Sequence, residues 1–164
     1  MLRVSGKLTI RRPTIVLLAA LFTASVADSA PGQRTRAPQP GEEVPVFQEY
    51  RGVKLGTPAD EVRKRLGNPK DKSDEQDFFV FGETETIQIV YDKLHSVSTL
   101  SVDFLSGAKE IPTPRAVLGA DMQAKPDGSM YRMVRYPKAG YWVSYNRTSG
   151  DSPLITVTIQ KIEH

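Results

Sequence analysis

Residues 50–71, YRGVKLGTPADEVRKRLGNPKD, place a short helix between two stop signals. Thr57 is a favoured N-cap residue, and Pro58 suits the first helical position. Asp60 follows the cap at the spacing at which a carboxylate can bond back to it. We therefore predict a helix with Thr57 as its N-cap and Pro58 as its first residue.

The predicted helix has one narrow apolar stripe, made by Ala59, Val62 and Leu66 at helical spacing. Gly67, with a proline two positions later, ends it after about eleven residues. A helix with so thin an apolar face needs a sheet to pack on.

Six later segments alternate apolar and polar residues and are rich in β-branched and aromatic side chains, as is typical of strands. They are residues 77–82, 85–92, 96–105, 129–136, 140–147 and 153–162. Alternation places Ile87, Ile89 and Tyr91 on one face of their strand, and Leu100, Val102 and Phe104 on one face of the next.

The order of elements is predicted to repeat. TPRAVLG, residues 113–119, has the Thr-Pro start and Leu-Gly end of the first helix but is four residues shorter, about one helical turn. Phe78 lies 11 residues after Gly67, and Met130 lies 11 after Gly119. The predicted fold is α+β, with two tandem helix-plus-three-strand repeats at about 50–105 and 106–164 and an antiparallel sheet with the helices on one face.

Residues 1–27 are interpreted as a signal peptide. Four basic residues and no acidic one accompany an apolar run, 15–27, that is shorter than the ~20 residues needed to cross a bilayer. The alternative is an uncleaved anchor, and we expect membrane contact only in that case. Cleavage near Ala27 would leave an exported protein, periplasmic or secreted.

Residues 28–49 are rich in proline and are predicted to be a disordered linker before a domain at 50–164.

Charge and composition exclude several function classes. The formal net charge of +3 falls to −1 without the four basic residues of 1–27, which removes the case for nucleic-acid binding. The chain has no cysteine, two histidines and no HExxH motif, so neither a metal site nor a cofactor is predicted. The acidic run 71–77 lacks calcium-loop spacing and is expected to be solvated. No catalytic set can be assembled, and we predict that the protein is not an enzyme.

Residues 53–69, VKLGTPADEVRKRLGNP, and 87–102, IQIVYDKLHSVSTLSV, resemble the helix and meander motifs of the outer-membrane assembly lipoprotein E family (BamE, also called SmpA/OmlA). Thr57-Pro58 stands where that family usually has Met-Thr or Met-Ser, and this chain lacks the family's lipidated cysteine. The two-repeat arrangement resembles the β-lactamase-inhibitor-protein-like fold. The resemblance implies an envelope protein that acts by binding other proteins.

Residues 131–147 combine four tyrosines, the only tryptophan of the chain and several basic residues, a composition typical of interface hot spots. The alternative interpretation is an ordinary hairpin in which half of the aromatic side chains lie in the core. Aligning the repeats places Tyr131 and Met133 beneath the helices. The predicted partner-binding residues on the helix-free face are then Phe78, Val80, Arg132, Val134, Trp142 and Ser144.

Two functions are compatible with such a face. The first is an envelope or outer-membrane assembly or scaffold protein, and the alternative is a secreted or periplasmic inhibitor or ligand-binding protein that uses the exposed sheet. In both cases the expected partner is another envelope or secreted protein.

Overall fold

The computed structural model describes residues 45–162, so the predicted signal peptide and most of the predicted linker lie outside the described residues. The elements in chain order are β1 (Glu49–Tyr50), β2 (Val53–Lys54), α1 (Ala59–Leu66), β3 (Asp71–Lys72), β4 (Gln76–Phe81), β5 (Glu85–Tyr91), β6 (Val97–Phe104), α2 (Pro114–Leu118), β7 (Met130–Tyr136), β8 (Tyr141–Arg147) and β9 (Ile155–Lys161). A 3₁₀ turn, Pro137–Ala139, joins β7 to β8.

Strands β3 to β9 form one antiparallel sheet, seven-stranded within residues 45–162, in the order β3-β4-β5-β6-β9-β8-β7. β6 pairs with β9 rather than with β7, so the middle of the sheet joins strands that are distant in sequence. β1 and β2 form a separate two-stranded ladder. The six long strands lie where alternation predicts them.

One face of the sheet supplies the core. Residues that stand directly opposite in an antiparallel ladder point to the same side, so Ile87, Val102 and Val157 share a face across three neighbouring strands. Each is 1% exposed or less. The adjacent row is Ile89, Leu100 and Ile159, all fully buried. The inward faces predicted for β5 and β6 are confirmed.

Helix α1 packs on this face through Val62, which is fully buried, and through Ala59. Leu66, the third residue of the predicted stripe, is half-buried against the same core. The helix ends at Gly67, whose N–H still bonds back to the carbonyl of Arg63 and whose positive φ of 87° turns the following chain out of the helix.

The start of α1 differs from the prediction. The helix begins at Ala59, with Pro58 as its N-cap and without a side-chain cap. The carbonyl of Thr57 accepts a hydrogen bond from Val97 N–H at 2.9 Å, which holds Thr57 against β6. Its Oγ1 accepts instead from the N–H of Lys54, at 3.2 Å. The capping role predicted for Thr57 is therefore wrong.

The predicted α+β fold of two helix-plus-three-strand repeats is also wrong. Residues 45–162 form a mainly antiparallel β structure in which α1 has eight residues and α2 only five. Because an α-helix takes 3.6 residues per turn, the four residues missing from TPRAVLG leave little more than one turn, and α2 is not a second copy of α1. α2 buries Val117 and Leu118 in the core.

Candidate protein-binding face

The second face of the sheet carries no helix within residues 45–162, because α1 and α2 both contribute side chains to the core on the first face. We call this second face the open face. Six strands, β4, β5, β6, β9, β8 and β7, cross it with continuous pairing. Its middle row, in that order, is Phe78, Gln88, Ser101, Thr158, Ser144 and Met133.

The open face is apolar at both of its ends. At the β4–β5 end lie Phe78, Val80 and Val90, and at the β8–β7 end lie Tyr131, Met133 and Trp142. Val80 is 48% exposed, Met133 40% and Tyr131 59%. Isolated exposed apolar residues are normal, but groups at both ends of one sheet face are a feature of interaction surfaces.

The centre of the open face is polar and satisfies its own hydrogen bonds. Ser101 Oγ and Thr158 Oγ1 lie 3.0 Å apart across β6 and β9. Thr156 donates its hydroxyl hydrogen to Oδ1 of Asp103 at 2.6 Å. Because these groups are already paired, a partner gains more from covering the apolar ends than from covering the centre.

Four of the six predicted partner-binding residues lie on the open face. They are Phe78, Val80, Trp142 and Ser144, with Phe78 and Val80 at the end opposite to Trp142. Ser144 is 7% exposed, so it supports the face between larger neighbours rather than projecting from it.

Arg132 and Val134 are the exceptions, and their predicted placement is wrong. Arg132 pairs with Tyr145 and Val134 with Val143, whose side chains belong to the core face. Val134 packs against the core, whereas the Arg132 side chain is exposed to solvent. The register predicted for β7 is shifted by one residue, and such a shift moves every side chain of the strand to the other face.

The corrected register places Tyr131, Met133 and Arg135 on the open face, and the sequence prediction missed all three. The turn between β7 and β8 contained the information needed to place these three residues. Tyr136 pairs with Tyr141 on either side of residues 137–140, and their ring centroids are 5.8 Å apart. Counting back from that closing pair gives the correct register, whereas the repeat alignment does not.

Trp142 is half-buried on the open face. Its cross-strand neighbours are Arg135 on β7 and Gln160 on β9. The repeat alignment places Arg132 on the same face as Trp142, whereas the arginine that stands opposite Trp142 is Arg135. Aromatic and arginine side chains together are enriched among residues that dominate binding energies.

Asp77 was predicted to be solvated with the rest of the acidic run, and this is wrong, because Asp77 is fully buried. Arg63 of α1 donates to both of its carboxylate oxygens, at 2.8 and 3.1 Å, and the Tyr91 hydroxyl donates to Oδ2 at 2.7 Å. Alternation with Phe79 and Phe81 would have placed Asp77 on the core face.

The Asp77 cluster joins the helix to the sheet. Burial, and then the hydrogen bond to Asp77, raises the pKa of the Tyr91 hydroxyl above its ordinary value. The hydrogen bond from Arg63 to Asp77 raises the pKa of the Arg63 guanidinium. Both carboxylate oxygens are occupied by protein donors, so the arrangement fixes α1 on the sheet and leaves no oxygen directed at a ligand.

Within residues 45–162, no three histidine, cysteine or carboxylate side chains are grouped so as to bind a metal ion. His95 is an exposed turn residue with a positive φ of 52°. No helix in the part of the chain that the structure describes is long and apolar enough to cross a membrane.

Comparisons of the chain with protein-family models, with curated protein sequences and with solved structures gave no match. The similarity to the BamE family therefore stays a prediction from residues 53–69 and 87–102.

Proposed function

We propose that this protein is an exported, non-enzymatic protein-binding module whose open face contacts a partner in the cell envelope. The observation that carries the proposal is the pair of apolar ends on a sheet face that no described helix covers. A sheet face that only contacts water needs neither the Tyr131, Met133 and Trp142 group nor the Phe78 and Val80 group.

The two ends fit a partner that spans the sheet. Directly paired strands lie ~4.8 Å apart, so six strands place the two apolar ends roughly 24 Å apart. A footprint of that width is compatible with a standard protein–protein interface of ~800 Å² on each side. Small ligands occupy enclosed pockets instead, and the open face is a sheet surface.

The assembly or scaffold role follows from the motif resemblance, and the inhibitor role requires a soluble target. Both roles use the open face, so the identity of the partner separates them. Outer-membrane barrels and their assembly factors would be the partners of a scaffold protein, whereas an inhibitor would be found with a single soluble enzyme.

Site-specific cross-linking in the native envelope tests the proposal. A photo-reactive phenylalanine analogue is placed at Tyr131 or at Val80 on the open face, and at Leu94 as a control. Leu94 is 83% exposed in the β5–β6 turn, and the carbonyl of His95 in that turn accepts a hydrogen bond from the Ala59 N–H at the start of α1. We expect adducts from the two open-face positions and none from Leu94. Equal labelling at all three positions would contradict the proposal.

A further inference from the structure

The two outer edges of the seven-stranded sheet are protected differently. At one edge β3 pairs with β4, where Asp71 stands opposite Phe78 and the Lys70 N–H donates to the Phe78 carbonyl at 2.7 Å. At the other edge β7 is the last strand, and no described strand pairs with its outer side. Alternate residues of such a strand leave their N–H and C=O groups directed outwards.

β7 carries two arginines, but it lacks three other devices that prevent edge pairing, which are a short length, a proline and a β-bulge. It is seven residues long, contains no proline, and keeps a regular register with β8 over seven residue pairs. Tyr131, Arg132, Met133 and Arg135 are all exposed along it. A long, regular and exposed edge of this kind is a template for the addition of another strand.

The charge of this edge selects the strand that can pair with it. Residues 130–147 contain four basic side chains, Arg132, Arg135, Lys138 and Arg147, and no acidic one. Within residues 45–162, neither Arg132 nor Arg135 has a hydrogen-bond or ion-pair partner. Unpaired guanidinium groups beside open backbone groups favour a carboxylate-bearing segment, and they disfavour a basic one.

We propose that the outer edge of β7 binds an extended acidic segment of a partner protein, which adds to the sheet as a further strand. Arg135 projects to the open face and Arg132 to the core face, so the acidic residues of the segment stand three apart and point to opposite sides. Between and beside them, apolar residues meet Met133 and Tyr131 on the open face. This edge site lies next to the open face but does not depend on it.

The test uses the full-length chain and the fluorescently labelled peptide TEVFEVT, whose glutamates oppose Arg135 and Arg132 in an antiparallel addition. Binding is measured by fluorescence anisotropy at low and at high salt. We expect the acidic peptide to bind and the lysine version, TKVFKVT, to bind at least about tenfold more weakly, because two attractions become repulsions. High salt should weaken binding of the acidic peptide.

Two controls separate strand addition from general charge attraction. Two N-methylated versions of the acidic peptide are made. In one version the methyl groups replace the N–H hydrogens that would face β7, and in the other they replace the N–H hydrogens that would face away from it. The first version should lose binding and the second should keep it. The double variant Arg132→Glu, Arg135→Glu should no longer bind the acidic peptide, whereas the single variant Lys72→Glu on β3 should still bind it.

Three results would overturn the proposal. The first is equal binding of all peptides, or no binding of the acidic one. The second is equal loss from Lys72→Glu, which would mean a diffuse charge effect. The third is a concentration-dependent dimer of the unliganded chain that Met133→Lys abolishes, because a second copy would then be the occupant of β7. Urea unfolding of each variant confirms that the folded state is retained.

Discussion

The two ends of the sheet carry opposite charge, and they differ in whether their charged side chains are paired. Residues 70–91 contain six acidic and two basic side chains, whereas residues 130–147 contain four basic ones and no acidic one. At the acidic end, Arg63 donates to Asp77, and Nε and Nη2 of Arg51 donate to the two carboxylate oxygens of Glu85 at 2.8 and 3.0 Å. At the basic end, Arg132 and Arg135 have no partner within residues 45–162.

This difference separates charges that hold the fold from charges that remain available. Arg51 also lies over the ring of Phe81, 4.4 Å from its centroid, and so attaches the β1–β2 ladder to β4. Removing a charge at the acidic end should therefore cost stability. Removing one at the basic end should cost binding.

Arg63→Met gives the largest expected effect. It leaves the fully buried Asp77 carboxylate without its cation, and breaking a buried pair in this way costs about 3–5 kcal/mol of unfolding free energy. The matched variant at the basic end, Arg132→Met, should change stability by no more than about 0.5 kcal/mol. Urea unfolding of both proteins measures the difference.

A double variant sharpens this result. Arg63→Met combined with Asp77→Asn should recover part of the lost stability, because no uncompensated charge then remains buried. Similar losses from Arg63→Met and Arg132→Met would show that the two ends do not differ as we describe.

Trp142→Ala tests the basic end through binding. Truncation of an interface anchor of this type costs about 2 kcal/mol, close to thirtyfold in affinity for the cross-linked partner. The unfolding midpoint should move little, since Trp142 is only half-buried and lies outside the core cluster. Phe78→Ala at the acidic end is the matched variant, and a smaller loss from it would assign the dominant contact to β8.

The fluorescence of this single tryptophan gives an independent check. A half-buried indole should be quenched by acrylamide in the free protein and protected in the complex. An indole that is already fully protected in the free protein would place Trp142 in the core, contrary to the observed register.

The smallest expected effect lies between the two ends, where Lys161 of β9 donates to Asp92 of the β5–β6 turn at 2.6 Å. This bond, helped by the N–H groups of Ser96 and Leu94, lowers the pKa of Asp92 below its ordinary value. The stabilisation is therefore present above the ordinary carboxyl range and is lost as pH falls through the lowered pKa. Asp92→Asn should cost no more than about 1 kcal/mol at neutral pH.

The pH dependence identifies the cause. The gap in unfolding free energy between Asp92→Asn and the unaltered protein should close as the solution is acidified. Glu83→Gln, which removes an exposed carboxylate with no ion pair in the described residues, should show no comparable gap. A gap that persists unchanged in acid would assign the effect to the turn geometry instead of the ion pair.

Strand positions were predictable from the sequence because central strands are buried on one side. From Ile87 to Tyr91 in β5 and from Leu100 to Phe104 in β6, every second residue is apolar and buried. β7 is an edge strand with apolar residues in both phases of the alternation, including Met133 on one side and Val134 on the other. The alternation of apolar residues therefore does not determine the register of β7, and the turn at residues 137–140 determines it instead.

The helices show a second limit. Thr57 has the right residue type for a cap, but its carbonyl is bound by Val97 N–H, a contact between residues distant in sequence. The burial of Asp77 likewise depends on Arg63 arriving from α1. Local patterns predict which segments become elements, whereas these tertiary contacts decide where an element begins and which polar residue is enclosed.

The position of β9 between β6 and β8 has a consequence for how the chain folds. β4, β5 and β6 can form as successive hairpins, and so can β7, β8 and β9, so the two groups join only where β6 pairs with β9. Until that pairing forms, β6 and β9 both present unpaired edges. Since sequence-distant strand pairing slows folding, we expect the docking of β9 on β6 to be the late step and the interval before it to be the period of greatest risk of aggregation.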